Sequence, residues 1–114
     1  GYLLSQGPDT VRAPDVSFVS LERLGEFADY AGYLPLAPDL AAEVVSPSDE
    51  SSKVESKAKD WIQSGVRVVL VVDPQTKSIR EYRSPSEIRV YEDGTIDLRD
   101  ILPEFELDVA ELFA

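Results

Sequence analysis

The most apolar runs in the chain are short and bounded by turn residues, a pattern that predicts strands more often than long helices. Val66-Arg67-Val68-Val69-Leu70-Val71-Val72-Asp73 is the strongest of them. Its near-continuous valine and leucine predict a strand covered on both faces, stopped by Asp73-Pro74. Asp39-Leu40-Ala41-Ala42-Glu43-Val44-Val45-Ser46-Pro47 has the same character, with one carboxylate in its middle. Between the two runs the period changes. Val54, Ala58, Trp61 and Ile62 fall at i, i+4, i+7 and i+8 and form one apolar helical stripe. A serine or aspartate cap is expected within Ser48-Asp49-Glu50-Ser51, with acids in the first turn and Gly65 as the stop. A helix between two apolar strands predicts a βαβ unit with a right-handed crossover and parallel pairing.

The flanking segments are weaker. Tyr2-Leu3-Leu4 suggests a strand before a turn at Gly7-Pro8-Asp9, and Val11 to Val19 alternates from Asp15 to Phe18, with Pro14 confined to the strand's start. Ser20 to Pro38 is a long connection broken by Gly25, Gly32, Pro35 and Pro38. Its Tyr30 and Tyr33 suit either core packing or stacking on a base. After Asp73, Ser78 to Arg83 and Glu87 to Tyr91 alternate as half-exposed strands of an antiparallel extension. Glu92-Asp93-Gly94-Thr95 predicts a hairpin turn into a brief strand from Ile96 to Leu98. Residues 101–114 end in a short acidic helix capped near Asp108. The fold class is α/β with a mixed sheet, in a single domain over residues 1–114.

Composition narrows the chemistry. At 114 residues the chain has room for one core. It has no apolar run long enough to span a membrane. The opening Gly1-Tyr2-Leu3-Leu4 lacks the basic flank and apolar centre of a signal peptide. There is no cysteine, which suits a reducing cytoplasmic setting and removes thiolate chemistry, and no histidine, which removes imidazole chemistry and most zinc sites. Any reaction must therefore use carboxylates, lysine, hydroxyls and a hard cation such as Mg²⁺. The formal charge is −11, and the excess is concentrated late. From Glu92 onward there are eight acids against Arg99 alone, while residues 1–91 carry fourteen acids and ten bases. That balance argues against a simple basic DNA-binding module.

Glu43 is the residue that most needs explaining, because an acid on an apolar strand is costly unless it is paired or bound to a cation. Asp15, at the mouth of the preceding strand, is one candidate companion. Its bland reading is a solvated strand-end aspartate. Lys57, three residues after Val54 and four before Trp61, sits on the edge of the helical stripe, whereas Lys53 and Lys59 lie well off it on either side. Lys57 can send its ammonium toward the neighbouring strand end or snorkel to solvent. Two carboxylates converging on one point suit a magnesium-like ion, with the Val45 carbonyl as a further ligand and an ammonium to stabilise a phosphoryl transition state. A buried Glu43–Lys57 ion pair with no ligand fits the same pattern.

Several ordered motifs carry a family resemblance. Pro14-Asp15-Val16-Ser17-Phe18-Val19, Pro38-Asp39 through Ser48, Lys57 before Trp61, Gly65-Val66 and Val72-Asp73-Pro74 together resemble the Uma-type restriction endonucleases of the PD-(D/E)XK nuclease superfamily. The resemblance extends through Tyr82 to Ile101-Leu102-Pro103 and Leu112-Phe113. It implies a restriction-endonuclease-like core: a central strand–helix–strand unit with an antiparallel extension. It also implies an endonuclease that hydrolyses DNA phosphodiesters by metal-activated water, with Mg²⁺ or Mn²⁺ as the ion. Asp15 matches the motif's first acid and Glu43 its second. Val45 replaces the superfamily's usual lysine, and Lys57 matches the helical lysine that takes its place in this family. Asp39 reads as an accessory or structural acid. The family's usual helix-and-hairpin unit ahead of the point matched by Gly1, with a glutamate of its own, has no counterpart here. A truncated chain is therefore expected, with an exposed sheet edge that favours a homodimer or strand exchange. The alternative function is a nuclease fold kept as a catalytically inactive binding or assembly module.

Overall fold

The chain alternates strand and helix because its apolar runs and turn signals do. The computed structural model describes residues 2–5, 10–12, 15–20, 23, 25 and 36–114. Strands β1 (Tyr2–Ser5) and β2 (Thr10–Arg12) pair antiparallel on their own. Strands β3 (Val16–Phe18), β4 (Leu40–Val44), β5 (Val68–Asp73), β6 (Ser78–Ser84) and β7 (Glu87–Tyr91) form a five-stranded sheet in that spatial order. Helix α1 (Ser51–Gln63) connects β4 to β5, and these two strands are parallel. Every other neighbouring pair in the sheet is antiparallel. The expected central unit and antiparallel extension are both present. Tyr30 and Tyr33 lie outside the described residues.

The two turns that bound α1 show how local sequence sets this unit. Beyond β4 the chain keeps one more bond to β5, Val45 N–H to the Val72 carbonyl at 2.8 Å, before Pro47 ends the pairing. The Asp49 carboxylate then accepts from Ser46 N–H at 2.8 Å, and Asp49 N–H donates to the Ser46 carbonyl at 3.0 Å. Asp49 is thus spent on the turn. The expected serine or aspartate cap does not form: Glu50 occupies the N-cap position and makes no side-chain cap hydrogen bond, and the first turn carries no acid. At the other end Val66 N–H reaches the Trp61 carbonyl and Gly65 N–H the Ile62 carbonyl, the paired bonds of a Schellman stop. Gly65 sits at φ +105°, a conformation that side chains resist, so glycine is needed there for backbone reasons.

Because side chains alternate across a strand, the sheet has two distinct apolar faces. On one, Ala41, Val69, Val71 and Tyr82 meet Ala58 and Trp61 of α1. Trp61 is fully buried and stands edge-on to Tyr2, ring centroids 6.3 Å apart at 84°. Burying a ring of that size at about 25 cal/mol per Å² contributes roughly 4–6 kcal/mol of transfer free energy, an upper figure. On the other face, Leu40, Ala42, Val68, Leu70 and Ile79 are covered by Ile96, Leu98, Ile101 and Val109.

That second layer corrects one expectation. The turn at Glu92 to Thr95 is present, with Gly94 at φ +77°, but it does not fold the chain back on β7. Strand β8 (Thr95–Asp97) pairs instead with β9 (Glu106–Asp108) in a separate two-stranded sheet. Ile96 and Leu98, nearly absent from the surface, reach the core only by crossing under the main sheet, and apolar burial outweighs local hairpin closure. Helix α2 (Val109–Leu112) follows, and Asp108 caps it by accepting from Glu111 N–H at 3.1 Å, as its sequence predicts.

Candidate active site

Glu43 faces α1. In β4 it shares a side of the strand with Ala41, whose methyl lies in the helix-side core, so its carboxylate enters the same layer as Trp61. It is 8% exposed. Burial at that level demands partners, and α1 supplies two. Trp61 Nε1–H donates to Glu43 Oε1 at 3.0 Å, and Lys57 Nζ lies 3.3 Å from the same oxygen. Lys57 and Trp61 are four residues apart, one turn of the helix, so both donors arrive on one face. The Trp61 donor is not singled out by the apolar stripe, where tryptophan counts only as core. A signal for it does exist, because a buried indole N–H requires an acceptor and Glu43 is the acid on the facing strand.

Asp15 stands immediately before β3. The β3–β4 register pairs Val16 with Ala42, so its continuation sets Asp15 beside Glu43 at the end of the ladder. Asp15 is exposed and its Oδ2 accepts from Val44 N–H at 2.7 Å. That bond holds the aspartate against the end of β4 and takes an amide that β3 no longer reaches. Val45 is half-buried, packs against the helix-side core and follows Glu43 by two residues.

Asp39 is committed elsewhere. Its carboxylate accepts from Ser20 N–H at 2.9 Å and from Arg23 Nη1 at 2.8 Å, while Arg23 Nη2 reaches the Ala37 carbonyl at 2.8 Å. With both oxygens engaged and only 6% exposure, it ties the segment before β4 to the loop after β3.

Glu43, Val45 and Lys57 line a pocket of about 320 Å³ together with Asp49, Glu50 and Lys53, among others. A larger one, about 670 Å³, lies on β6 and β7 and is lined by Glu81, Arg83, Arg89, Tyr91, Asp97 and Asp100, among others. Its charges mostly satisfy one another. Arg83 bonds Glu81 at 3.2 Å and Asp100 at 2.7 Å, Tyr91 OH donates to Glu81 at 3.3 Å, and Arg99 grips Asp97 through two 2.9 Å bonds. The Arg99 guanidinium holds the Asp97 carboxyl down at about 2, and Arg83 holds Asp100 below its ordinary range. Acids stabilised in the charged state by arginine are poor proton carriers. The smaller pocket, where a buried carboxylate meets a half-exposed ammonium, is the better candidate for chemistry.

Glu43 of that pocket and Asp15, which stands next to it by register but does not line the pocket, offer oxygens of the kind a hard cation takes. Glu43 Oε1 takes both N–H donors and Asp15 Oδ2 takes the Val44 amide, and among the described residues nothing engages Glu43 Oε2 or Asp15 Oδ1. Carboxylate and carbonyl oxygens are the ligands that Mg²⁺ and Mn²⁺ prefer. Among the described residues no group of three or more acids gathers around one point.

No curated protein matches the chain. Among solved structures it is similar to the crystal structure of a "putative nuclease belonging to DUF820" from Anabaena variabilis ATCC 29413, at TM-score 0.78 and 25% identity. The match covers 92% of this chain and 60% of that one, so the chain spans less than two thirds of that protein's length. The family model described as "Putative restriction endonuclease" matches residues 1–110, nearly the whole chain, and with the same strand–helix–strand core on the page this chain belongs to that family, Uma2.

Proposed function

We propose that this domain, residues 1–114, is a metal-dependent endonuclease that hydrolyses DNA phosphodiester bonds. The observation that carries the reading is the paired contact at Glu43: a nearly buried carboxylate with Lys57 at 3.3 Å and Trp61 at 3.0 Å, opening on a pocket. In this reading Asp15, Glu43 and the Val45 carbonyl hold Mg²⁺, with Mn²⁺ as a substitute. The ion, when bound, supplies an activated water and polarises the phosphoryl oxygens. Trp61 fixes the Glu43 carboxylate from the core side and leaves its second oxygen toward the pocket. Lys57, with a side chain 39% exposed, keeps its charge within reach of both Glu43 and a scissile phosphate, where it offsets charge gathering on the non-bridging oxygens. Family membership and the resemblance to a nuclease structure support the reaction class. The same reading has the protein act as a homodimer in the cytoplasm; no described helix is long and apolar enough to cross a membrane.

The test is calorimetric and enzymatic together. Mg²⁺ should bind the purified chain, Asp15→Asn and Glu43→Gln should each abolish that binding, and Lys57→Met should abolish nicking of supercoiled plasmid. Unchanged metal affinity in both acid variants would remove the assignment.

A second reading, a catalytically inactive nuclease fold used as a binding or assembly module, is favoured by the lack, among the described residues, of any group of three acids placed to hold one metal ion, and by the −11 charge. Metal-dependent nicking that Lys57→Met eliminates would exclude it. Sedimentation velocity on the same sample reports whether it is a dimer.

A further inference from the structure

We infer that Lys53 is a second phosphate-binding residue of this site, holding the nucleic-acid strand one to two nucleotides from the phosphate that Lys57 faces. The inference rests on the nuclease reading for the identity of the strand, and on geometry for the rest. Sequence periodicity sets Lys53 apart from the apolar stripe. Even so, Lys53 and Lys57 line the same pocket as Glu43, one helical turn apart on α1. Four residues at 1.5 Å each put the two side chains about 6 Å apart along the helix. Phosphates on one strand of a duplex rise about 3.4 Å per nucleotide, so the offset corresponds to one or two steps.

The three lysines of α1 differ in how free their ammonium groups are. Lys57 is engaged with Glu43 at 3.3 Å, and Lys59 pairs with Glu55 at 3.2 Å, four residues before it. Among the described residues Lys53 has only Glu50, at 3.9 Å, with side chains 79% and 67% exposed. An exposed pair that long is worth little, so a phosphate displaces Glu50 at small cost. Of the other two acids in the pocket wall, Asp49 accepts from Ser46 N–H at 2.8 Å and Glu43 is paired with Lys57. The start of α1 has no side-chain cap hydrogen bond, so no side chain occupies its first amides beside Lys53. The resulting order along α1 is a phosphate seat at Lys53, then the reacting centre at Lys57 and Glu43. This gives the strand a direction across the protein.

Fluorescence anisotropy of a labelled DNA duplex, titrated with the whole chain in Ca²⁺ over a series of salt concentrations, tests this. Lys53→Gln should weaken binding roughly threefold or more at low salt and reduce the slope of log K against log[salt] by about 0.9, the loss of one phosphate contact. Lys59→Gln, on a residue outside the pocket, should bind like the unmodified chain. Equal affinity and equal salt slope for Lys53→Gln overturns the inference, and so does an unmodified chain that does not bind DNA. Wild-type binding without cleavage in Mg²⁺, lost in part in Lys53→Gln, overturns the nuclease reading while upholding Lys53 as a phosphate contact.

Discussion

The indole of Trp61 donates to the carboxylate of Glu43 at 3.0 Å, from a side chain that is itself fully buried. One residue is thus both the largest anchor of the helix-side core and a support for the candidate reactive acid. The Glu43 carboxylate is fixed by packing as well as by charge, because moving it means moving a ring locked between α1, Tyr2 and the sheet. Catalytic groups held by rigid elements and packed supports keep their geometry better than groups on loops.

Trp61→Phe keeps most of the ring and removes the N–H. It should cost about 1.5–3 kcal/mol in urea unfolding, the range for a hydrogen bond to a charged group. Combined with Glu43→Gln, the pair should show a coupling of at least ~0.5 kcal/mol. Strictly additive losses would mean that the two residues do not interact.

Lys57→Met removes the ammonium and keeps the stem. Losing one partner of a fully buried pair costs about 3–5 kcal/mol, but Lys57 is 39% exposed and Glu43 retains the Trp61 donor, so roughly 1–2 kcal/mol is expected here. Lys59→Met removes a partly exposed helical pair and should cost less than about 0.5 kcal/mol. Equal losses in the two variants, by chemical denaturation, would contradict the special placement of Lys57.

Ala58 is fully buried under the sheet one residue after Lys57. Ala58→Leu should overpack that layer and destabilise by about 1–3 kcal/mol. It should also push the second half of α1 away from the sheet, which intrinsic tryptophan fluorescence of Trp61 will register as a shift toward solvent. A variant as stable as the parent, with unshifted emission, would show that the layer has room.

Acid should also act on the face away from α1. Asp97 sits at about 2 in the fold against an ordinary 3.8, and Asp100 is also lowered, each mainly by a hydrogen bond from an arginine, Arg99 and Arg83 respectively. A carboxylate depressed in the folded state contributes stability above its unfolded value and loses it as pH falls through the folded one. For Asp97 the contribution therefore fades between about pH 4 and pH 2. Asp100→Asn should lower the melting temperature at pH 7, by no more than about 1 kcal/mol of stability given its exposure. The gap to the parent should narrow as pH falls below the ordinary carboxylate range. A gap that is constant with pH would show that the Arg83–Asp100 bond contributes nothing through ionisation.

How much of this is legible in the sequence depends on the range of the interaction. The β4–α1–β5 unit follows from periodicity, and so does the Gly65 stop, because both are set by residues within one turn or strand. Lys57 can be separated from Lys53 and Lys59 by angle alone, and the ion pair at Glu43 lies where that angle points. The β8–β9 pairing is not local. Glu92 to Thr95 carries a hairpin turn in its residues, yet Ile96 and Leu98 find a better apolar partner across the sheet. The helix cap fails for a related reason: Asp49 satisfies the preceding turn, which a reading of the helix alone does not weigh. Asp39 and Arg23 are sixteen residues apart, and only the fold brings them together.

The bond from Val44 N–H to Asp15 has a consequence for observation. That amide is the last rung of the sheet at this edge, and it is closed by a side chain in place of a strand. If Asp15 turns to hold a cation, the rung opens. Protection of the Val44 amide against hydrogen exchange is therefore a built-in gauge of which way the aspartate faces, readable without any substrate.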